Sequence, residues 1–262
     1  MSGRVLLLAF VVVVVSGIAV VQHIGESLKE QEVRPPTKDE RAELRRLGKI
    51  VFTRGSSTDG VLFTMNGDGS DKRRLEAGSD ASWSPDGRRI AFTRWVPRGD
   101  AADVEYVFVM RADGTGVRRL ARGRLPDWSP DGARLAFARE EGPRGREHDA
   151  VWVMRADGSD AHRLWEGSGP DWSPDGMSIA FERGGFLDEG GSTWVSALDG
   201  GKPERLADAW DPAWSPDGKW IVFGCDPNDI CVTRSGWGHD WLRISRGQLG
   251  TQPNPDWAPL EP

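Results

Sequence analysis

This sequence has few of the residues that build metal centres or covalent active sites. Its 262 residues include two cysteines and four histidines, which is too little material for a zinc cluster or an iron–sulfur centre. No Gly-x-Ser-x-Gly motif occurs, so the nucleophile elbow of the α/β-hydrolases is excluded. There is no dense tract of lysine or arginine, and the formal net charge is -6. We therefore expect no nucleic-acid partner.

Tyrosine is nearly absent, with one residue, whereas the chain contains 13 tryptophans, 33 glycines and 17 prolines. Glycine and proline at this level indicate many tight turns. Charged residues at 28% and hydrophobic residues at 38% are ordinary for a folded globular chain. The composition therefore predicts a turn-rich fold with a recurring unit that contains tryptophan.

The one long apolar run covers residues 5–21 and follows Arg4. Its length and flanking charge predict an N-terminal transmembrane or signal helix over residues 1–24. We favour an uncleaved anchor over a cleaved signal. Residues 25–48 are rich in charge and are expected to form a linker with a short helix, and residues 49–262 form the folded domain. The domain is then membrane-anchored or secreted, on the extracytoplasmic side.

Two motifs recur with the same period. Trp-Ser-Pro-Asp-Gly, with a shorter last copy, begins at intervals of 45, 44, 42 and 43 residues at Trp83, Trp128, Trp172, Trp214 and Trp257. Between these copies a strand-like segment ends in Asp-Gly at Gly69, Gly114, Gly158 and Gly200. Because two independent motifs keep one period, the chain is built from structural repeats.

Each repeat has the pattern of a four-stranded antiparallel meander. A Pro-Asp-Gly turn is followed by a short apolar strand, a variable connection, a second apolar strand, an Asp-Gly turn and a last strand. Such a sheet cannot bury both faces alone, so the copies must stack around an axis. The first repeat lacks its first strand, and Trp257 begins a first strand without a second. We predict an all-β, five-bladed β-propeller, closed by the C-terminal strand.

The Trp-Ser-Pro-Asp-Gly, Ile-Ala-Phe and Val-Met-x-x-Asp-Gly series resembles the repeats of TolB-type β-propellers, over about residues 49–259. The resemblance implies propeller architecture and a habit of binding proteins outside the cytoplasm. Most TolB-type propellers have six blades, and TolB has a separate α/β domain before its propeller. Since the sequence shows neither feature, the resemblance does not extend to TolB's own partner.

Four connections vary in length and composition, at residues 95–105, 139–149, 184–191 and 226–229. Variable loops on a regular scaffold are where function is usually placed. These connections share one face, and their mixed charge and aromatic residues suit a polar protein or glycan surface; solvated loops without a ligand are the alternative. The candidate binding residues are Trp95, Arg98, Asp100, Asp103, Glu140, Glu141, Arg144, Arg146, His148, Phe186, Asp188 and Glu189.

An aspartate precedes the repeated tryptophan in three repeats, at Asp127, Asp171 and Asp256. We expect these residues to begin the innermost strands at the channel mouth on the variable face. There they could bind a hard cation such as calcium; alternatively, each caps its strand or pairs with an arginine. No other cofactor is expected. Cys225 and Cys231 flank a short predicted loop and are placed for a local disulfide in an exported protein.

The sequence favours a monomeric, membrane-tethered, non-enzymatic module that binds a protein or a cell-envelope polymer. One alternative is a glycoside hydrolase that uses Asp127, Asp171 and Asp256 as acid and nucleophile. Another is a sensor that binds calcium or a small solute in the channel.

Overall fold

The computed structural model describes most of the repeat region and parts of the N-terminal region. The described residues are 11–15, 18–22, 37–39, 42, 49–56, 58–66, 68–99, 101–143, 147–184, 191–198, 201–226, 229–234 and 241–243.

Five antiparallel sheets follow one another along the chain, which we number as blades 1 to 5. Blade 1 contains β3 (Lys49–Arg54), β4 (Val61–Asn66) and β5 (Arg73–Ala77). Blade 2 contains β6 (Ser79–Trp83), β7 (Arg89–Arg98), β8 (Ala101–Arg111) and β9 (Arg118–Arg122). Blade 3 contains β10 (Arg124–Trp128), β11 (Arg134–Glu141), β12 (His148–Arg155) and β13 (His162–Glu166). Blade 4 contains β14 (Ser168–Trp172), β15 (Ser178–Arg183), β16 (Ser192–Ala197) and β17 (Glu204–Ala207). Blade 5 contains β18 (Trp210–Trp214), β19 (Trp220–Asp226), β20 (Asp229–Arg234) and β21 (Trp241–Arg243).

Strands pair in chain order within every blade, so the predicted meander and the all-β class are confirmed. The first strands of blades 2 to 5 contact each other in sequence, β6 with β10, β10 with β14 and β14 with β18. These strands therefore form the inner layer of the blades, and blade 1 has three strands among the described residues.

The hydrophobic core lies between neighbouring blades. Trp128 of blade 3 packs in one cluster with Ala91 and Val107 of blade 2 and with Phe137 of its own blade. The Phe at the centre of the second strand is fully buried in blades 2 to 5, at Phe92, Phe137, Phe181 and Phe223. Each blade therefore buries its faces against its neighbours, as expected for a sheet that has no separate covering layer.

The Pro-Asp-Gly turns are held by their own side chains. In the first copy the Ser84 hydroxyl donates to Asp86 Oδ1 at 2.5 Å, and the Arg88 amide donates to the same oxygen at 3.1 Å. These hydrogen bonds lower the pKa of Asp86. The serine hydroxyl donates to the turn aspartate in the next three copies as well, so these carboxylates act in the turns.

Two of the predicted variable loops are extended β-hairpins. In blade 2, β7 and β8 continue to a pair between Arg98 and Ala101, and in blade 3, β11 and β12 continue to a pair between Glu141 and His148. The prediction of variable loops at residues 95–105 and 139–149 was therefore wrong for the residues that pair, up to Arg98 with Ala101 and Glu141 with His148. In blade 2, the aromatic and β-branched residues Trp95, Val96 and Val104 beyond the core strands favour continued pairing.

The N-terminal region departs from the predicted helix. The described parts of the apolar run form two paired strands, β1 (Val11–Val15) and β2 (Ile18–Gln22), and a valine-rich segment has high strand propensity. The hairpin contacts β3 and β6. Within the described residues, no helix combines the length and the apolar character that a membrane span requires.

Candidate functional site

The aspartate before the repeated tryptophan joins successive blades. Asp127 Oδ2 in blade 3 accepts a hydrogen bond from the Trp172 amide of blade 4 at 3.0 Å. Asp171 Oδ2 in blade 4 accepts one from the Trp214 amide of blade 5 at 2.8 Å. The other Asp127 oxygen accepts from the Ser82 hydroxyl of blade 2 at 3.3 Å. One side chain thus touches three blades.

These aspartates lie elsewhere than the sequence predicted. Each occupies the fourth position of a five-residue strand, β10 or β14, and therefore lies towards the Pro-Asp-Gly turns. The prediction that they begin the strands on the variable face was wrong, because three residues precede the aspartate in the inner strand. Asp256 lies outside the described residues, so the calcium site remains a prediction. Within the described part of the chain, no group of three or more His, Cys, Asp or Glu residues is suited to a metal ion.

Burial raises the pKa of Asp127 to about 7, against the opposing effect of its hydrogen bonds to the Trp172 and Trp128 amides and the Ser82 hydroxyl. Although burial disfavours its charged form, Asp127 accepts hydrogen bonds from the backbone amides of Trp128 in its own blade and Trp172 in the next. We infer that this carboxyl group has a structural role.

The variable face is organised by the second residue of each inner strand. Asp80, Leu125 and Asp211 occupy this position with left-handed φ angles of 47°, 51° and 50°, and Gly169 does so with 55°. The pairing register shifts between the first and fourth residues of each inner strand. Such a bulge redirects the side chain at the extra residue, so this position carries different chemistry in each blade.

A charged cluster lies at this end of blades 2 and 3. Arg124, the first residue of β10, donates from Nη1 to Glu105 Oε2 of blade 2 at 3.1 Å and from Nη2 to Asp149 Oδ2 of blade 3 at 2.5 Å. Burial raises the pKa of Glu105, while Arg124 lowers it. Burial also raises the pKa of Asp80, which the hydrogen bonds from Ser79 and Thr93 and the charge of Arg124 partly offset. One guanidinium therefore neutralises a group of crowded acids.

A pair of carboxyl groups lies at the same end of blades 4 and 5. The Asp211 amide in blade 5 donates to Glu182 Oε1 of blade 4, and the two side chains are also hydrogen-bonded to each other. Burial, followed by the charge of Glu182, raises the pKa of Asp211 to about 8. Near neutral pH the pair therefore holds one proton. Both side chains are only partly buried, so solvent and solutes can reach them.

The predicted loop-face residues that the structure describes lie at the variable edge of blades 2 and 3. Arg98 and Asp103 are exposed and Trp95 is partly buried. Asp100, Arg144, Arg146, Phe186, Asp188 and Glu189 lie outside the described residues.

The predicted residues of blade 3 are held by neighbouring side chains. Glu140 accepts from Arg122 at 3.2 Å, and Glu141 accepts from the Trp152 indole at 2.8 Å and from Arg163 at 3.0 Å. His148 Nε2 lies 3.8 Å from Glu141 Oε2. These contacts brace the β11–β12 hairpin.

Sequence reasoning missed the two acidic groups at the variable end of the inner strands, Asp80 with Glu105 and Asp211 with Glu182. One signal was present in the sequence: three residues before each repeated tryptophan the repeat holds Asp80, Leu125, Gly169, Asp211 and Asn254. A position that varies within an otherwise regular repeat indicates a functional surface, because variable positions on a rigid scaffold are where binding residues are usually placed.

Cys231 lies on β20, is fully buried and is not a free thiol. The side chain of Cys225 lies outside the described residues. The pairing of Cys225 with Cys231 therefore stays a prediction.

Replacing the inter-blade aspartate should loosen the inner layer. We expect Asp127→Ala to lower the free energy of unfolding by about 2–3 kcal/mol, because the Trp172 amide and the Ser82 hydroxyl lose a buried acceptor. Asp127→Asn keeps an acceptor and should cost about half as much. Chemical denaturation of the full chain measures both, with the exposed Asp103→Ala as control. Equal stability of Asp127→Ala and Asp103→Ala would contradict the structural role.

The carboxyl pair should make stability depend on pH. The pKa of Asp211 is raised on folding, so its contribution is fully present below its unfolded pKa of about 4 and is lost as pH rises towards about 8. Asp127, with a pKa raised to about 7, acts in the same direction. Denaturation midpoints measured from pH 5 to pH 8 should therefore fall, and Asp211→Asn should flatten that decline. An identical slope in Asp211→Asn, with Asp103→Asn as control, counts against the pair.

Comparison with known proteins identifies the fold through solved structures. No family model matches the chain, and no curated protein sequence does. TolB from Acinetobacter baumannii matches with a TM-score of 0.64 and 17% identity, over 82% of this chain and 56% of TolB. The β-propeller domain of the Trilobed protease from Pyrococcus furiosus matches with a TM-score of 0.51 and 16% identity, over 75% of this chain and 67% of that one. Oligogalacturonate lyase from Vibrio parahaemolyticus matches with a TM-score of 0.51 and 12% identity, over 79% and 62%. The chain thus spans just over half the length of TolB, and its fold is that of a TolB-like β-propeller.

Proposed function

We propose that the protein is a monomeric, membrane-tethered, extracytoplasmic module that binds a protein, or a polymer of the cell envelope, through its variable face. The observation that carries this proposal is the β7–β8 hairpin, in which strands of 10 and 11 residues replace the six-residue strands of blade 1. Its outer part carries exposed, oppositely charged side chains at Arg98 and Asp103. An extended hairpin with exposed charged groups suits recognition of a large polar partner.

A non-enzymatic role is favoured by the use of the inner aspartates. A glycoside hydrolase needs two carboxyl groups about 5–10 Å apart that are available to the sugar and the leaving oxygen. Asp127 and Asp171, the candidates for that chemistry, accept hydrogen bonds from the amides of the next blade. Propeller enzymes share the fold, but a shared fold does not carry a function with it.

The tether in this proposal rests on the apolar run at residues 5–21 and the charged linker after it. Insertion into a bilayer favours a helix over the hairpin of β1 and β2, because lipid leaves the edges of an isolated hairpin without hydrogen-bond partners. The predicted pairing of Cys225 with Cys231 fits the same extracytoplasmic location.

We further propose that the propeller is closed by the C-terminal strand. The aspartate before the tryptophan accepts from the tryptophan amide of the next blade in both described pairs, Asp127 to Trp172 and Asp171 to Trp214. By the same rule Asp256 would accept from the Trp83 amide of blade 2. The β1–β2 hairpin, which contacts β3 and β6 without joining their sheets, is the competing occupant of this position.

Site-specific photo-crosslinking in intact cells tests the binding role. A benzophenone amino acid at Arg98 on the variable face should yield a discrete adduct that stays in the membrane fraction after alkaline extraction. The matched probe at Lys219, which is exposed at the opposite end of blade 5, should yield none.

Adducts from Lys219 but not from Arg98 would contradict the proposed binding surface, because they would place it on the face that carries the Pro-Asp-Gly turns. Absence of adducts at both positions would count against a binding module. Release of the adduct by alkaline extraction would contradict the tether alone.

A further inference from the structure

The carboxyl pair at the junction of blades 4 and 5 differs from the charged cluster of blades 2 and 3. In the cluster, Arg124 lies between Glu105 and Asp149. Among the described residues, no basic side chain forms an ion pair with Asp211 or Glu182. The first position of the inner strand, arginine in blade 3, is Trp210 in blade 5. Blades 2 and 3 thus show how two carboxyl groups hold a cation at this end of the blades. The Asp211–Glu182 pair provides two carboxyl groups but has no such cation among the described residues.

A buried hydroxyl beside the pair is a second, independent observation. Thr193 is fully buried, and its Oγ1 has no hydrogen-bond partner among the described residues. It is the cross-strand partner of Glu182, so both side chains lie on the face of blade 4 that packs against blade 5. A buried hydroxyl without a hydrogen-bond partner is destabilising.

The hydroxyl is specific to this blade. The equivalent cross-strand partners are Leu62 in blade 1, Val107 in blade 2 and Val151 in blade 3. These residues fill the same place between blades with apolar groups, and valine is close to threonine in shape. Packing therefore does not require an oxygen at Thr193, whereas a hydrogen-bond donor bound at the carboxyl pair would give that oxygen a partner.

We propose that Asp211, Glu182 and Thr193 form a binding site for one basic side chain, a lysine ammonium or an arginine guanidinium, of the partner protein. This proposal rests on the proposed binding function and names the chemical group that the variable end of blades 4 and 5 recognises. The two carboxylates accept from the cation, and the Thr193 hydroxyl accepts a further N–H.

The charge and proton balance of binding is simple. Near neutral pH the free pair holds one proton, shared between the two side chains. The incoming cation arrives protonated and replaces that proton, which passes to solvent, and both carboxyl groups are then ionised. The pair exchanges an internal hydrogen bond for two charge-assisted ones, which are stronger.

Peptide binding to the full chain in detergent micelles tests this site. Capped Gly-Lys-Gly and Gly-Arg-Gly are the probes, capped Gly-Gln-Gly is the neutral control, and the readout is the carboxyl ¹³C resonances of labelled Asp and Glu. At pH 7 the basic peptides should shift the Asp211 and Glu182 resonances saturably towards the ionised position. Asp211→Asn should weaken binding by about tenfold, as loss of a hydrogen bond to a charged group does.

Two further variants separate binding from folding. Thr193→Val removes an oxygen that has no partner, so stability should be unchanged or higher while binding weakens about threefold. Asp113→Asn changes an exposed turn carboxyl bound to Thr115 and should leave binding unchanged.

Equal responses to the basic and neutral peptides, or unaltered binding in Asp211→Asn, would overturn the proposed site. Crosslinking at Arg98 distinguishes this failure from failure of the binding module. If adducts form at Arg98 but the basic peptides give no response, the partner binds the hairpins and not the Asp211–Glu182 pair.

Discussion

The bond between an inner-strand aspartate and the tryptophan amide of the next blade is the interaction on which the arrangement of the blades depends. Strand pairing holds each blade together but gives no register between blades, and apolar contacts between sheets tolerate sliding. A directional hydrogen bond from the Trp172 amide to Asp127, and from the Trp214 amide to Asp171, fixes that register. Each of these aspartates directly precedes a buried tryptophan of the core. The hydrogen bond between blades and the apolar packing between blades therefore lie side by side.

The two ends of the inner strands have different roles: carboxyl groups near the Pro-Asp-Gly turns hold the blades together, and the opposite end is available for recognition. Towards the Pro-Asp-Gly turns, carboxyl groups hold backbone amides and repeat from blade to blade. Towards the long hairpins, the bulged second residue changes from Asp80 to Leu125, Gly169 and Asp211. The same backbone therefore presents an arginine-centred cluster at one junction and a proton-sharing pair at another. Specific recognition needs such differences between blades, which identical repeats cannot supply.

Much of the architecture was readable from the sequence because turn chemistry and strand period are local. Pro-Asp-Gly and Asp-Gly turns define the meander, and their period defines the five sheets. The pairing of Asp211 with Glu182 was not readable, since the two residues belong to different blades and meet only through the bulge. The hairpin of blade 2 was missed because Trp95 and Val104 extend the strands beyond the repeat. For the N-terminal run the sequence does not decide between the two forms, because a valine-rich segment suits both a membrane helix and a strand.

Hydrogen exchange of three tryptophan amides tests the account of blade linkage most directly. The Trp172 and Trp214 amides should exchange only on global unfolding, since each donates to a partly buried carboxylate of the preceding blade. If Asp256 closes the propeller, the Trp83 amide should be protected to the same degree, and Asp256→Ala should abolish that protection selectively. Rapid exchange at Trp83 in the intact chain, or protection that survives Asp256→Ala, would contradict closure by the C-terminal strand.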